Sequence, residues 1–432
     1  MKKLLLILLC LPMIGLGQEY FEIGNVEPIS FEITNDERII VLNTNYISES
    51  MMTLYQLSKF HLFGDNIFNA TVGYQEAGSI IPGNFIENSS GSFVFAKNMT
   101  TSSGGWEDAI KSFYLNVLDS DGEESEIVSS VFVEDCDTGW NSVLYSDELN
   151  CNGNAQSIGL HQSQENIYNI LYSGNIEGVS DIYNLIIYNQ ITDEFEYATI
   201  PIVSDKFSAY ENGDLIVVND EKILKVDNNL NTIFFEDVPV DIPDEHGVIS
   251  TSDGGALIFG NEYSDITLSE DFKICKINSN GELNWESEFG GYNEDLPYNA
   301  IETPNGGFII IGSKESDMSS ENSLGGMWIV ELNSSGDTIS SQVYGNDGDY
   351  AKDIKLHPNG NYYILGRLGE TSVVLTYSSS STSSIYDHQN YNIDRKLDKT
   401  IDMLGKETKP QPNTPIIEIY DDGSVEKKII IE

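Results

Sequence analysis

The stretch Glu294–Gly312, EDLPYNAIETPNGGFIIIG, reads as a polar–apolar strand, a Pro-Asn-Gly-Gly turn and an apolar run, Phe308–Ile311, closed by Gly312. The same order is written before it at Asp244–Gly260 (DEHGVISTSDGGALIFG) and after it at Asp349–Gly366 (DYAKDIKLHPNGNYYILG). Gly254, Gly306 and Gly360 stand 52 and 54 residues apart. Self-similarity at this period marks a chain of stacked units, none of which buries its own apolar face alone. Tight hairpins need positive φ, which glycine supplies. Gly254, Gly255, Gly306, Gly307 and Gly360 are therefore expected to be turn residues.

Outward from the two clearest copies, the order continues through third strands at Phe272–Ile277 and Met327–Leu332. Asn-x-x-Gly turns follow at Asn278–Gly281 and Asn333–Gly336, then a fourth strand, then an aromatic-Gly ending at Phe289-Gly290-Gly291 and Tyr344-Gly345. Four antiparallel strands per unit is the composition of a β-propeller blade. Earlier units are more degenerate, at Ile29–Val72, Ile80–Val131, Ser157–Ile202 and Ala209–Asp227. Their strand candidates are Glu37–Leu42, Thr53–Phe60, Ser92–Ala96, Ser112–Leu118, Ile167–Tyr172, Tyr183–Tyr188, Asp214–Val218 and Lys222–Val226, rich in Ile, Val, Tyr and Phe. No amphipathic helix is evident. The expected fold is all-β: a propeller of about seven four-stranded blades over residues 18–377, with six or eight as alternatives, followed by a short C-terminal β segment.

The last unit shows three strands before the serine run Ser378–Ser384 begins. An open sheet edge invites pairing with other chains. Tyr20–Ile23, or a strand near Ser30–Ile33, is expected to complete that blade; the alternative is a frayed N-terminal segment.

Acidic residues outnumber basic ones 69 to 22, for a net charge of −47. Such a chain repels nucleic acid and anionic lipid, which excludes both as expected partners. Residues 1–17 read as a signal peptide: Lys2 and Lys3, the apolar core Leu4–Leu11, and Gly15-Leu16-Gly17 before Gln18. Cys10 as a lipidation site would need a small residue where Leu9 stands, and would cut the apolar core. No other stretch is long and apolar enough to span a bilayer. In an exported chain Cys136 and Cys151 are expected to form a disulfide, and Cys275, inside an alternating strand, to be a packed thiol. Beyond a Ser-rich linker, 378–395, the composition changes: Arg395, Lys396, Lys399, Lys406 and Lys409 cluster, a Pro-rich hinge follows, and IIEIYDDGSVEKKIIIE ends the chain as a hairpin.

Two family resemblances follow from these residues. Ala300, Ile301, Thr303, Gly306, Gly307 and Gly312, with Gly281, Trp285 and Phe289-Gly290-Gly291, resemble the degenerate propeller repeats of exported Bacteroidetes proteins. Gly281-x-x-x-Trp285 also looks like the blade-docking tryptophan of quinoprotein-type propellers, although the position after Gly336 is Ser340. This resemblance covers about a third of the chain and implies fold alone. The C-terminal segment, 396–432, resembles the sorting domain read by the Bacteroidetes type IX secretion system. Asp402, Leu404, Gly405 and Glu407 match its D-x-L-G-x-E feature; Gly423, Lys427 and Lys428 lie in the turn and final strand. The segment is short and lacks a Gly-x-Tyr strand; an ordinary terminal hairpin is the alternative. The resemblance implies type IX machinery as a partner and secretion through the periplasm to the medium or the outer-membrane surface.

No Gly-x-Ser-x-Gly elbow, His-Glu-x-x-His helix or phosphate loop is present, and the five histidines are scattered. No catalytic residue is nominated. Asp119, Asp121 and Glu123 have the flavour of a Ca²⁺ loop without the full spacing; a hairpin turn is the preferred reading, and no other cofactor is implied. The expectation is a secreted or cell-surface binding protein for a glycan or protein ligand, acting as a monomer. The competing class is a polysaccharide lyase or glycosidase, with a structural surface component as a third.

Overall fold

The computed structural model describes residues 20–47, 52–75, 81–102, 109–134, 156–164, 167–176, 179–189, 191–192, 194–202, 204, 206–219, 221–240, 242, 244–264, 268–291, 293–315, 325–379, 397–402, 406, 408–409, 415–420 and 425–429. The chain divides into two units, Met1–Ser381 and Thr382–Glu432.

In the first unit, β1 (Tyr20–Gly24) precedes the first blade, β2 (Glu27–Ile33), β3 (Ile39–Ile47), β4 (Met52–Phe60) and β5 (Asn66–Gln75). The second blade is β6 (Ile81–Glu87), β7 (Phe93–Ser102), β8 (Ala109–Leu118) and β9 (Glu124–Glu134). The third is β10 (Gln156–Gln164), β11 (Ile167–Ile176), β12 (Val179–Asn189) and β13 (Glu194–Thr199). The fourth is β14 (Lys206–Ala209), β15 (Leu215–Val218), β16 (Lys222–Val226) and β17 (Thr232–Asp237). The fifth is β18 (Asp244–Ser250), β19 (Ala256–Ser264), β20 (Ser269–Ile277) and β21 (Leu283–Phe289). The sixth is β22 (Asp295–Glu302), β23 (Phe308–Lys314), β24 (Gly326–Leu332) and β25 (Thr338–Tyr344). The last is β26 (Tyr350–Leu356), β27 (Tyr362–Leu368) and β28 (Thr371–Tyr377), with β1 as its fourth strand. These are seven four-stranded antiparallel sheets, and the fold is a β-propeller.

Each core lies between two blades, not inside one. Ile309 and Ile311 of β23 face Ile354, Ile364 and Val373 of the last blade, while Phe308 and Ile310 face Leu257, Phe259 and Phe272 of the fifth. A strand buried on both faces has no polar side to show, which is why FIII reads as an unbroken apolar run. The innermost strands are the first of each blade, and β2 packs on β26 to close the ring. Phe21 and Ile23 of β1 join Phe31, Phe60 and Leu365 at that closure. Tyr20 pairs with Leu375 and Phe21 with Val374, as the open edge of the last unit required. β1, not the segment near Ser30–Ile33, fills the place; the latter belongs to β2 in the first blade.

The hairpin turns repeat one geometry. The amide of Gly306 donates to the Thr303 carbonyl at 2.8 Å, and the amide of Thr303 to the Gly307 carbonyl at 2.8 Å. The same pair of bonds closes the turns at Gly254 and Gly360. Fourth-blade pairing extends beyond the expected limit of Asp227: β17 supplies an outer strand that its Leu230 turn, lacking glycine, hides in the sequence.

In the second unit β29 (Leu397–Asp402), β30 (Pro415–Tyr420) and β31 (Val425–Ile429) form a three-stranded antiparallel sheet in that order. Asp402 lies in β29, and Lys427 and Lys428 in β31; Leu404, Gly405, Glu407 and Gly423 fall outside the described residues, as do residues 1–17, Cys136 and Cys151.

Candidate functional site

Strand direction fixes the two ends of the ring. All first strands run the same way, so their N-terminal halves and the hairpins between second and third strands share one face; the glycine turns share the other. Most described first strands carry a register shift in this half: between Pro28 and Ser30, Glu245 and Gly247, Pro297 and Asn299, and Ala351 and Asp353. A bulge sets one residue out of the ladder and re-aims its side chain. In the sixth and last blades the bulged residues are Tyr298 and Lys352.

These residues gather with Tyr350 and Arg367 of the last blade and Glu27 of the first. The rings of Tyr298 and Tyr350 meet edge to face, with centroids 5.8 Å apart. The Lys352 ammonium stands 5.3 Å from the Tyr298 ring centre, a cation–π distance. The Tyr350 hydroxyl donates to Glu27 of the first blade. Arg367, paired across the strands with Tyr350, donates from Nη1 to Glu27 Oε2 at 2.6 Å. Burial first, and then the Glu27 carboxylate, push the Tyr350 phenol well above its ordinary range. The patch spans the sixth, last and first blades at the point of ring closure.

Deeper in the ring the polar groups hold blades together. Asn299 Nδ2 donates to Asp353 Oδ1 at 2.7 Å, and the Phe31 amide donates to Asp353 Oδ2 at 3.2 Å, so one carboxylate ties three consecutive blades. Burial pushes the Asp353 carboxyl up, with Lys355 opposing and Glu32 adding to the rise. Lys355 itself bridges to Glu32 at 2.8 Å.

The same face carries exposed apolar groups on hairpins joining second and third strands: Tyr46 in the first blade, Tyr263 and Leu268 in the fifth, at 63%, 54% and 68% exposure. Tyrosines above a cation offer stacking area at low cost in side-chain entropy, with a charge for selectivity.

Other sequence candidates land elsewhere. Asp119 Oδ1 accepts from the amides of Asp121 and Glu123 at 3.0 and 2.9 Å, the pattern of a turn-closing side chain repeated at Asn88 and Asn278. That carboxylate serves its own hairpin between β8 and β9; among the described residues no three His, Cys, Asp or Glu side chains gather as a metal ion would need. Cys275 is buried in β20, and burial pushes its thiol up to about 12. Gly254, Gly306 and Gly360 take φ of 81°, 75° and 85° as turn residues. Among the described residues no helix is long and apolar enough to cross a membrane.

Tyr298, Tyr350 and Lys352 escaped the sequence reading because no motif joins them; only the bulge and ring closure do. The available signal was positional, in that Tyr298 and Lys352 each stand five residues before the turn-opening Thr303 and His357.

No protein-family model matches the chain, and no curated protein matches it. Solved structures similar to it include BBS1N in complex with ARL6DN, at 6% identity and TM-score 0.46, covering 84% of this chain and 98% of that one. An acylaminoacyl peptidase from Pyrococcus horikoshii is similar at 10% identity and TM-score 0.45, covering 92% of this chain and 57% of that one. An α-L-arabinanase from Penicillium chrysogenum, complexed with arabinobiose, is similar at 10% identity and TM-score 0.40, covering 81% and 92%.

Proposed function

We propose that this propeller is an exported binding protein that holds its ligand at the ring mouth formed by Tyr298, Tyr350 and Lys352. The edge-to-face tyrosine pair beside the Lys352 ammonium carries the choice of binding over catalysis, and the protonation of Tyr350 agrees with it. A general base must give up its proton near working pH. The Tyr350 phenol is pushed the opposite way, and its neighbour Glu27 already accepts from both Tyr350 and Arg367. Aromatic area and a cation without a poised base suit recognition.

Export by the type IX route is supported by the leader-like residues 1–17 and by the D-x-L-G-x-E match at Asp402–Glu407. The three-stranded sheet with Lys427 and Lys428 in its last strand fits the same reading. The destination is the medium or the outer-membrane surface.

The test is thermal shift of the full chain, and of Tyr298→Ala, against a mixed library of oligosaccharides and peptides. A ligand whose shift is lost in Tyr298→Ala supports the reading; ligands bound equally by both proteins would place the site elsewhere. Release of shortened oligosaccharides during incubation would favour the lyase or glycosidase reading instead. In the native host, removal of 396–432 is expected to retain the protein in the cell, and its arrival in the medium would sink the sorting assignment.

A further inference from the structure

We infer that the ligand at this mouth is an anionic saccharide, its sugar ring against the Tyr298–Tyr350 wall and its carboxylate or sulfate on Lys352. The inference rests on the binding reading above and adds the ligand's chemistry. Its basis is where the chain's few cations go. With 69 acidic residues against 22 basic ones, an ammonium should find a carboxylate almost anywhere. Lys59, Lys222, Lys273, Lys276, Lys314 and Lys355 each do, at salt-bridge distance. Lys225, over the Tyr210 ring, instead donates to the Gly254 carbonyl at 2.8 Å. Lys352 has neither kind of acceptor among the described residues and lies against the Tyr298 ring, although Asp353 follows it directly in sequence and Glu27 and Glu32 stand on the next blade.

The neighbours keep it so. Arg367 and Tyr350 take Glu27, and Lys355 takes Glu32. Asn299 and the Phe31 amide hold the two oxygens of Asp353 inward. Each nearby carboxylate is thus assigned to another donor, and the bulge that re-aims Lys352 sets it out of its own ladder. Charge-assisted hydrogen bonds are among the stronger polar contacts, so an unspent ammonium beside aromatic rings selects an anion. The rings argue for a saccharide as its carrier, since a pyranose offers an apolar face to stack. The remote acidic surface opposes such a ligand weakly at physiological salt, where charges beyond about 8 Å are largely screened.

The experiment is calorimetric titration of the full chain with three probes: an oligogalacturonate, charged by carboxylates alone, a carrageenan oligosaccharide, charged by sulfates alone, and a neutral cello-oligosaccharide. One or both charged probes are expected to bind more tightly than the neutral one, and the carboxylate and sulfate arms identify which anion is read. Lys352→Met should weaken the charged probe about tenfold or more, and Lys352→Arg should restore most of the loss. Melting temperatures of both variants check that the ring is intact. Neutral sugar bound as tightly as charged sugar, with no effect of Lys352→Met, would overturn this inference while leaving the binding reading in place. Binding of none of the three probes would also overturn it, and the binding reading would then rest on the peptides of the wider library.

Discussion

At Gly306 the place where a Cβ would sit has no atom within 4 Å, while at Gly307 a Cβ would lie 2.4 Å from the Leu332 carbonyl oxygen. The first glycine answers a backbone angle, φ 75°, and the second a close strand approach. Gly306→Ala should therefore cost about 1 kcal/mol, the left-handed penalty less the entropy gained by losing a glycine. Gly307→Ala must move β24 and should cost about 2 kcal/mol or more. Urea midpoints of the two variants check the order, and equal midpoints would refute the distinction. A second residue sets a pH dependence. Asp295 is fully buried, and burial raises its carboxyl from 3.8 to about 6. Lys314 at 3.3 Å and the Glu315 amide at 3.2 Å oppose the rise, and Asp271 adds to it. The folded state thus binds this proton more tightly than the unfolded chain. Its contribution is complete below about pH 4 and is lost as pH climbs through about 6, on the order of 2–3 kcal/mol for the isolated group. Asp295→Asn should flatten that part of the curve, measured by denaturant unfolding from pH 4 to 7; parallel curves would show that Lys314 cancels the burial cost.

Between elements, the recurrent contact is an aromatic ring of one outer strand on a turn glycine of the next blade. A Cβ at Gly336 would lie 2.6 Å from Trp285, one at Gly122 2.6 Å from Phe68, one at Gly64 2.6 Å from Phe21, and one at Gly281 3.2 Å from Phe234. Trp285 also donates from its indole to the Ser334 carbonyl at 3.0 Å and meets Phe308 edge on. Trp285→Ala is expected to cost about 2–3 kcal/mol, below the 3–5 of a fully buried tryptophan, and Trp285→Phe less. Chemical denaturation checks this; a cost under about 0.5 kcal/mol would reduce the stack to surface decoration. Here the limits of sequence reading become physical. The inner turns were legible because φ and close approach both demand glycine, so the letters repeat. The Gly-x-x-x-Trp signature was legible once, at Trp285, because the first blade has Phe68 and the second Glu126 in the tryptophan's place, and the fourth has Phe234 there with Leu230, at φ 64°, in the place of the glycine. Ser340 departs from the pattern for a reason of topology. The next blade takes its outer strand from β1, so no outer hairpin turn stands there to be covered. The mouth was illegible because Tyr298, Tyr350, Lys352 and Glu27 come from three blades, and the pairing of first and last blades is written nowhere in the repeat.

For the whole ring, the acid excess and the closure pull in opposite directions. A net charge of −47 strains any compact state, so the melting temperature should rise as NaCl goes from about 0.05 to about 0.5 M, because screening relieves self-repulsion. A melting temperature that fell with salt would mean that the buried and inter-blade ion pairs outweigh the surface excess. Closure depends on a strand that the repeat does not contain. β1 gives β28 its neighbour and lays Phe21 and Ile23 into the core shared by the last and first blades. Removing residues 18–24 has two separable effects: it strips apolar packing worth about 2–4 kcal/mol, and it uncovers the edge of β28. Phe21→Ala removes part of the packing and leaves the edge paired. The truncated chain is therefore expected to lose stability and to self-associate, whereas Phe21→Ala should lose about 1–3 kcal/mol and elute unchanged. Size-exclusion chromatography beside urea unfolding separates the two effects. Identical elution of both variants would mean that the β28 edge is protected by something other than β1, and that the ring is held shut by the β2–β26 interface alone.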